Sequence, residues 1–199
     1  PLPVVDAGAN TAICIGDTAQ LIATGGDTYA WSPTTDLSDP NSAITDAFPS
    51  TTTQYIVTVT DSNTCVNIDS ITVTVNPLPI ADAGNDTIMC KGDSLQLNAN
   101  GGTLYSWSPA AFVTDPAIAN PLAFPDTTME FVVVVTDGNS CVASDTMLIE
   151  VFNITQLPAD TTICIGDSVQ LNVDGPNAVS FLWTPATGLS SDIVQSPMA

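Results

Sequence analysis

Apolar and polar residues alternate with a period of two along most of the chain. Leu95, Leu97 and Ala99 alternate with Gln96 and Asn98, the pattern of a half-buried strand. Gly101-Gly102 ends this run, and Tyr105-Ser106-Trp107 begins the next. Pro109 stops that one, because proline has no N–H to give to a ladder. A loop with Pro116 and Pro121 follows. Then Phe131, Val133 and Val135 point one way while Val132 and Val134 point the other, and after the turn DGNS and Cys141 the segment DTMLIEVF supplies a last strand. Earlier in the chain Tyr55, Val57 and Val59 repeat the pattern, and Ile71, Val73 and Val75 alternate with Thr72 and Thr74. Six or seven short strands separated by turn signals, with no competing helical period, predict an all-β fold: a small antiparallel β-sandwich. The outward Val132 and Val134, with Ile56, are assigned to a second buried face, the alternative being a lateral contact.

The pattern recurs. Trp31, Trp107 and Trp183 stand 76 residues apart, and the opening PLPVVDAGANTAICIGDTAQL returns as PLPIADAGNDTIMCKGDSLQL and then as ITQLPADTTICIGDSVQL. A fixed period of this size marks an array of similar modules. The units are residues 1–76, 77–152 and 153–199, the third cut before its strand-rich half, where SPMA aligns with NPLA. The chain is therefore read as a piece of a longer protein whose natural start lies upstream. The joints VNPLP and VFNITQLP are short and proline-bearing, which favours stiff connections and a rod.

Charge narrows the class. Nineteen Asp and two Glu face one cation, Lys91, for a net charge of −20. A chain without a Lys/Arg footprint is a poor partner for nucleic acid or anionic membranes. With 44% apolar residues in a regular pattern, it is not a disordered acidic tail. No apolar run approaches the length of a membrane-spanning helix.

Cys14 and Cys65 share their 51-residue spacing with Cys90 and Cys141. Equal spacing inside equal repeats predicts one disulfide per module, Cys14–Cys65 and Cys90–Cys141, and an oxidising, exported setting. Closing such a loop is worth roughly 4 kcal/mol on the chain-entropy model. Cys164 is the first member of a third pair whose partner lies outside this chain. Each tryptophan sits mid-strand before a Ser/Thr-Pro step, so Trp31, Trp107 and Trp183 are assigned to module cores, with ligand stacking as the alternative.

With no histidine, one lysine and its paired cysteines assigned to disulfides, the chain cannot assemble the usual nucleophile–base pairs, and its aspartates recur at the same loop positions in each repeat. The chain is read as non-enzymatic. No cofactor is called for. Calcium is the one ligand weighed, at Asp82, Asn85 and Asp86 beside a joint and at Asp137 in the turn before Cys141, against the plainer reading of loop aspartates.

The combined pattern DAGxDTxxCxGDSxQLxAxGG…YxWSP…PxTTxxxxVxVTDxxxC…D…VxV resembles the tandem immunoglobulin-like or PKD-like repeats of giant secreted surface proteins of Bacteroidota. The resemblance spans the whole chain. It implies export through the type IX secretion system to the cell surface or beyond. It also implies a β-sandwich module and a role as adhesin, stalk or extracellular filament of the gliding-motility-associated class. Partners are then further repeats of the same chain, a homo-oligomer or fibre, and an unidentified surface or glycan ligand. The alternative is a spacer or carbohydrate-binding repeat on a secreted polysaccharide-degrading enzyme. The resemblance also implies O-glycosylation at Asp-[Ser/Thr] steps, here Thr18, Ser70, Thr87, Ser94, Thr127, Thr146, Thr161 and Ser168, although the same dipeptides serve as turn chemistry.

Overall fold

The computed structural model describes residues 2–152, 161–173 and 180–199. The backbone falls into two compact units: Pro1–Asp82 with Asn100–Ser106 and Val134–Ser144, and Ala83–Ala99 with Trp107–Val133 and Asp145–Ala199. The strands follow the repeats. The first repeat contributes β1 (Thr11–Cys14), β2 (Ala19–Ile22), β3 (Thr28–Ser32), β4 (Ile44–Ala47), β5 (Thr53–Thr60) and β6 (Val66–Asn76). The second contributes β7 (Thr87–Cys90), β8 (Leu95–Gln96), β9 (Leu104–Ser108), β10 (Leu122–Ala123), β11 (Met129–Thr136) and β12 (Val142–Phe152). One 3₁₀ turn, Ala110–Phe112, follows β9.

The first and second repeats each build one four-stranded and one two-stranded sheet. The orders are β1-β6-β5-β3 with β2-β4, and β7-β12-β11-β9 with β8-β10. In the first repeat the core lies between the sheets. Leu21 and Ala47 enter from the small sheet; Trp31, Tyr55, Val57, Val59 and Val73 enter from the large one. In β5 the period of two is carried through: Tyr55, Val57 and Val59 are fully buried and Ile56 is exposed. Phe131, Val133 and Val135 repeat this in β11. Each such side chain removed from water contributes about 1.5–3 kcal/mol, which is what holds so small a sandwich closed. Strand order, sandwich layering and a buried tryptophan on the third strand define an immunoglobulin-like sandwich.

Two expectations need correction. The sandwich is not wholly antiparallel: β1 runs parallel to β6, Thr11 opposite Val73 and Cys14 opposite Asn76, and β7 runs parallel to β12. The cause lies upstream, where Asp6 first bridges Thr24 antiparallel, on the side of the small sheet. Gly8, at φ 83°, then turns the chain, and it continues along β6 in the other sheet. Asp6 steadies the turn through its carboxylate, which accepts the Gly8 N–H at 2.8 Å. The second buried face is also absent among the described residues: Val134 and Ile56 are exposed and Val132 is half-buried.

The described part of the third repeat keeps one pairing. Val169 and Ala199 exchange backbone hydrogen bonds at 3.1 and 2.9 Å, as the matching Ala19 and Ala47 pair in β2 and β4. The joint VFNITQLP and the insertion near Asn177 lie outside the described residues.

Candidate functional site: the cysteine turns

Two kinds of turn carry the cysteines. The first kind ends the opening strand of the first and second repeats. Cys14 closes β1, the Asp17 N–H returns to its carbonyl at 3.0 Å, and Gly16 takes φ 93°, which a side chain would resist. The Ile15 N–H extends the ladder to the Asn76 carbonyl at 2.8 Å. The second kind precedes the last strand. Asp137 Oδ1 accepts the N–H of Asn139 at 2.8 Å and of Cys141 at 2.9 Å, an Asx turn that fixes the cysteine. Ser140 sits at φ 66° within it.

The disulfide joins one turn of each kind. Cys14 bonds Cys141, with Cα atoms 5.5 Å apart and 127 residues between them in sequence. Both cysteines belong to the first compact unit. Cys65, Cys90 and Cys164 are thiols. The expected pairs Cys14–Cys65 and Cys90–Cys141 are thus overturned, and the parallel strand shows why. Cys14 lies level with Asn76, the last residue of β6, whereas Cys65 immediately precedes Val66, the first. Eleven residues of extended strand separate those levels, roughly 35 Å at the ordinary rise. A disulfide tolerates about 7 Å between Cα atoms, so no side-chain motion could bridge the gap. The same holds in the second repeat, where Cys90 is level with Phe152 and Cys141 precedes Val142.

The aspartates singled out for calcium serve the backbone. Asp86 Oδ1 accepts the Leu148 N–H at 2.8 Å and Asp137 holds its own turn, while Asp82 pairs with Asn100 through main-chain hydrogen bonds. Asn85 is exposed. Among the described residues no group of three His, Cys, Asp or Glu side chains is placed to hold a metal ion. Trp31 and Trp107 are each 2% exposed, and their indole N–H groups donate to the Ser42 and Ile118 carbonyls at 3.0 and 3.1 Å. Trp183 is half-buried and donates to Val194 at 2.8 Å. Thr18, Ser94, Thr127, Thr146, Thr161 and Ser168 are exposed, and Ser70 and Thr87 are half-buried. Asp160, which precedes Thr161, lies outside the described residues. An open crevice of about 400 Å³ beside the disulfide is lined by Asp17, Thr18, Asn139 and Ser140 among others. It offers carboxylate, hydroxyl and amide groups and no nucleophile–base pair.

Sequence reasoning passed over a set of latches. Asp69 Oδ2 accepts the Ala7 N–H at 2.9 Å, and Asp145 Oδ2 accepts that of Ala83 at 2.8 Å. Those hydrogen bonds, followed by ones from Ser70 and Thr146, hold both carboxyls below the usual carboxylate range. Thr52 and Thr128 accept the N–H groups of Val75 and Val151, each at 3.0 Å. The available signal was recurrence: each latch occupies the same place in both repeats.

No protein-family model matches the chain, and no curated protein matches it. Solved structures are similar at low identity. A DIP-gamma structure of its first two immunoglobulin domains is 10% identical with TM-score 0.39, covering 76% of this chain and 98% of that one. Sidekick-1 immunoglobulin domains 1–5 are 16% identical with TM-score 0.39, covering 87% of this chain and 45% of that one. Three N-terminal domains of the bacteriophage RB49 outer capsid protein Hoc are 20% identical with TM-score 0.36, covering 87% and 67%.

Proposed function

We propose that this chain is a non-enzymatic structural and adhesive stretch of an exported surface protein or filament, built from modules at 1–76, 77–152 and 153–199. On this reading it acts as a stiff, disulfide-stapled stalk. The observation that carries the reading is the Cys14–Cys141 bond, which ties one repeat covalently to the next. The bond's role on this reading is mechanical. It limits how far the polypeptide can lengthen when its ends are pulled. The buried tryptophans and the backbone-bound aspartates support the same reading, since residues spent on the fold are not free for a sugar or a reaction. Secretion by the type IX route in a Bacteroidota cell, PKD-like kinship, self-assembly and glycans on the exposed Asp-Thr and Asp-Ser steps belong to this proposal. Among the described residues no helix is long and apolar enough to cross a membrane.

Single-molecule pulling from both termini tests it. The residues enclosed by Cys14 and Cys141 should stay hidden from extension until a reductant is added, then appear as an added length of a few hundred ångströms. Full extension without reductant would overturn the stapled-stalk reading.

A further inference from the structure

The cysteines fall into two kinds, and the one bond between them leaves three thiols open, Cys65, Cys90 and Cys164. Cys14, Cys90 and Cys164 are of the first kind. In all three the Asp N–H returns to the cysteine carbonyl at 3.0–3.1 Å, and the glycine lies at φ 93°, 93° and 98°. Cys65 and Cys141 are of the second kind. Each amide lies 2.9 Å from its turn aspartate, Asp61 or Asp137, and each preceding residue, Thr64 or Ser140, lies at positive φ. The bond present joins a first-kind cysteine to the second-kind cysteine of the next repeat. Cys90 and Cys65 sit in the same turns as the bonded pair while remaining thiols, so this turn geometry does not require the bond.

We propose that Cys65 and Cys90 are disulfide half-sites for further copies of this repeat. Cys65 takes a first-kind cysteine and Cys90 takes a second-kind one 127 residues further on, as Cys14 does. The result is a continuous ladder of bonds between successive repeats. The proposal rests on the array reading above and names the array's partner.

The oxidant is a small-molecule disulfide such as oxidised glutathione. The Cys90 thiolate attacks one of its sulfurs, that S–S bond breaks, and one glutathione thiolate leaves. The second-kind thiolate then attacks the Cys90 sulfur and expels the other glutathione. Two protein thiols give up two protons and two electrons, and the oxidant becomes two thiols.

The partner repeat can lie further along one polypeptide or on a second molecule, and two arms separate these sources. In the first, residues 1–152 are placed ahead of the complete chain, folded in glutathione redox buffer and mapped by peptide mass. A bond is expected from Cys90 of the added segment to Cys65 of the complete chain. The free thiols should stay at three, as in the chain alone. Cys90→Ser in the added segment should abolish that bond and leave each Cys14–Cys141 intact. In the second arm, two isotope-labelled populations of the complete chain share the buffer. Mixed-isotope peptides joining Cys65 to Cys90 or Cys164 would identify a second molecule as the source. A new bond between unlike kinds of different repeats in either arm supports the proposal. Bonds between like kinds, bonds within one repeat, or no new bond in both arms overturn it. If new bonds fail while Cys14–Cys141 maps, only the half-sites fall; if Cys14–Cys141 is itself missing, the stapled-stalk reading falls too.

Discussion

The first and second repeats share a frame and differ in what they hang on it. Both carry the parallel opening strand, the buried tryptophan, the Gly-Gly pair and the aspartate latch. Yet β2 pairs β4 over four residues where β10 pairs β8 over two, and Tyr55 stands where the second repeat has Phe131. Leu21 and Leu97 are buried almost completely in both. The sandwich is therefore set by a few backbone-directed contacts. Ladder length and single side chains adjust its stability without changing its form. The cysteines make the same point, since the turn at Cys65 keeps the geometry of the turn at Cys141 without the bond.

Removing the bond is the largest way to break this comparison. Cys14→Ser with Cys141→Ser should lower stability by about 3–5 kcal/mol, because a loop of more than a hundred residues is no longer closed in the unfolded chain. Chemical denaturation of the oxidised protein against the variant measures the loss. The secondary-structure signal should be unchanged, because the turns do not depend on the bond; a collapsed β signal would contradict the shared-frame view.

The glycine pair comes next. Gly25 and Gly101 lie at φ 111° and 107°, and a methyl group on either would collide with a backbone carbonyl, of Val4 or of Ile80. Strain at positive φ and overpacking together should cost about 3 kcal/mol for Gly25→Ala and for Gly101→Ala. Equal losses in thermal melts would support one frame in both repeats. A loss at one site alone would show that the frames differ in substance.

Much of this was legible in the chain and some was not, for a definite reason. Period-two alternation located β5 and β11 and oriented Tyr55 and Phe131, because burial of one face of a strand is written in its own residues. Recurrence set the cysteines and the loop aspartates at matching places in each repeat. Neither signal reports which strands are neighbours or in which direction they run. The step from Cys14 to Cys65 returns between Cys90 and Cys141, whereas the 127-residue step from Cys14 to Cys141 occurs once here, so spacing alone pointed to the wrong partner. The decision lies with β1 running parallel to β6, and that depends on the turn at Gly8, which exchanges one sheet for the other. The Gly-Gly pair read as the end of a strand, since the chain that passes over it is distant in sequence.

Tyr55 offers a finer test. Its hydroxyl is buried and makes no hydrogen bond among the described residues. Burial, and then the negative charge of Asp36, push its pKa upward. Tyr55→Phe copies the second repeat and removes a polar atom that folding takes out of water, so it should stabilise the protein by about 1 kcal/mol. The reverse change, Phe131→Tyr, should destabilise by a similar amount. If Tyr55→Phe were destabilising instead, the hydroxyl would have a role in the first repeat that the second does without.

The smallest expected effect is a dependence on pH. Asp69 and Asp145 have carboxyls held below their ordinary range by the amides of Ala7 and Ala83. The folded state therefore binds these protons less readily than the unfolded chain. Their contribution is complete above the ordinary carboxylate pKa and is lost as pH falls through the lowered folded values. Melting temperature should decline below about pH 4, the ordinary Asp value. Asp69→Asn or Asp145→Asn keeps an oxygen for the amide but removes the charge, so each should flatten part of that decline. Because the two latches are copies, the two variants should flatten it equally. An acid limb unchanged in the double variant would assign the decline to other carboxylates and leave the latch as a hydrogen bond indifferent to charge.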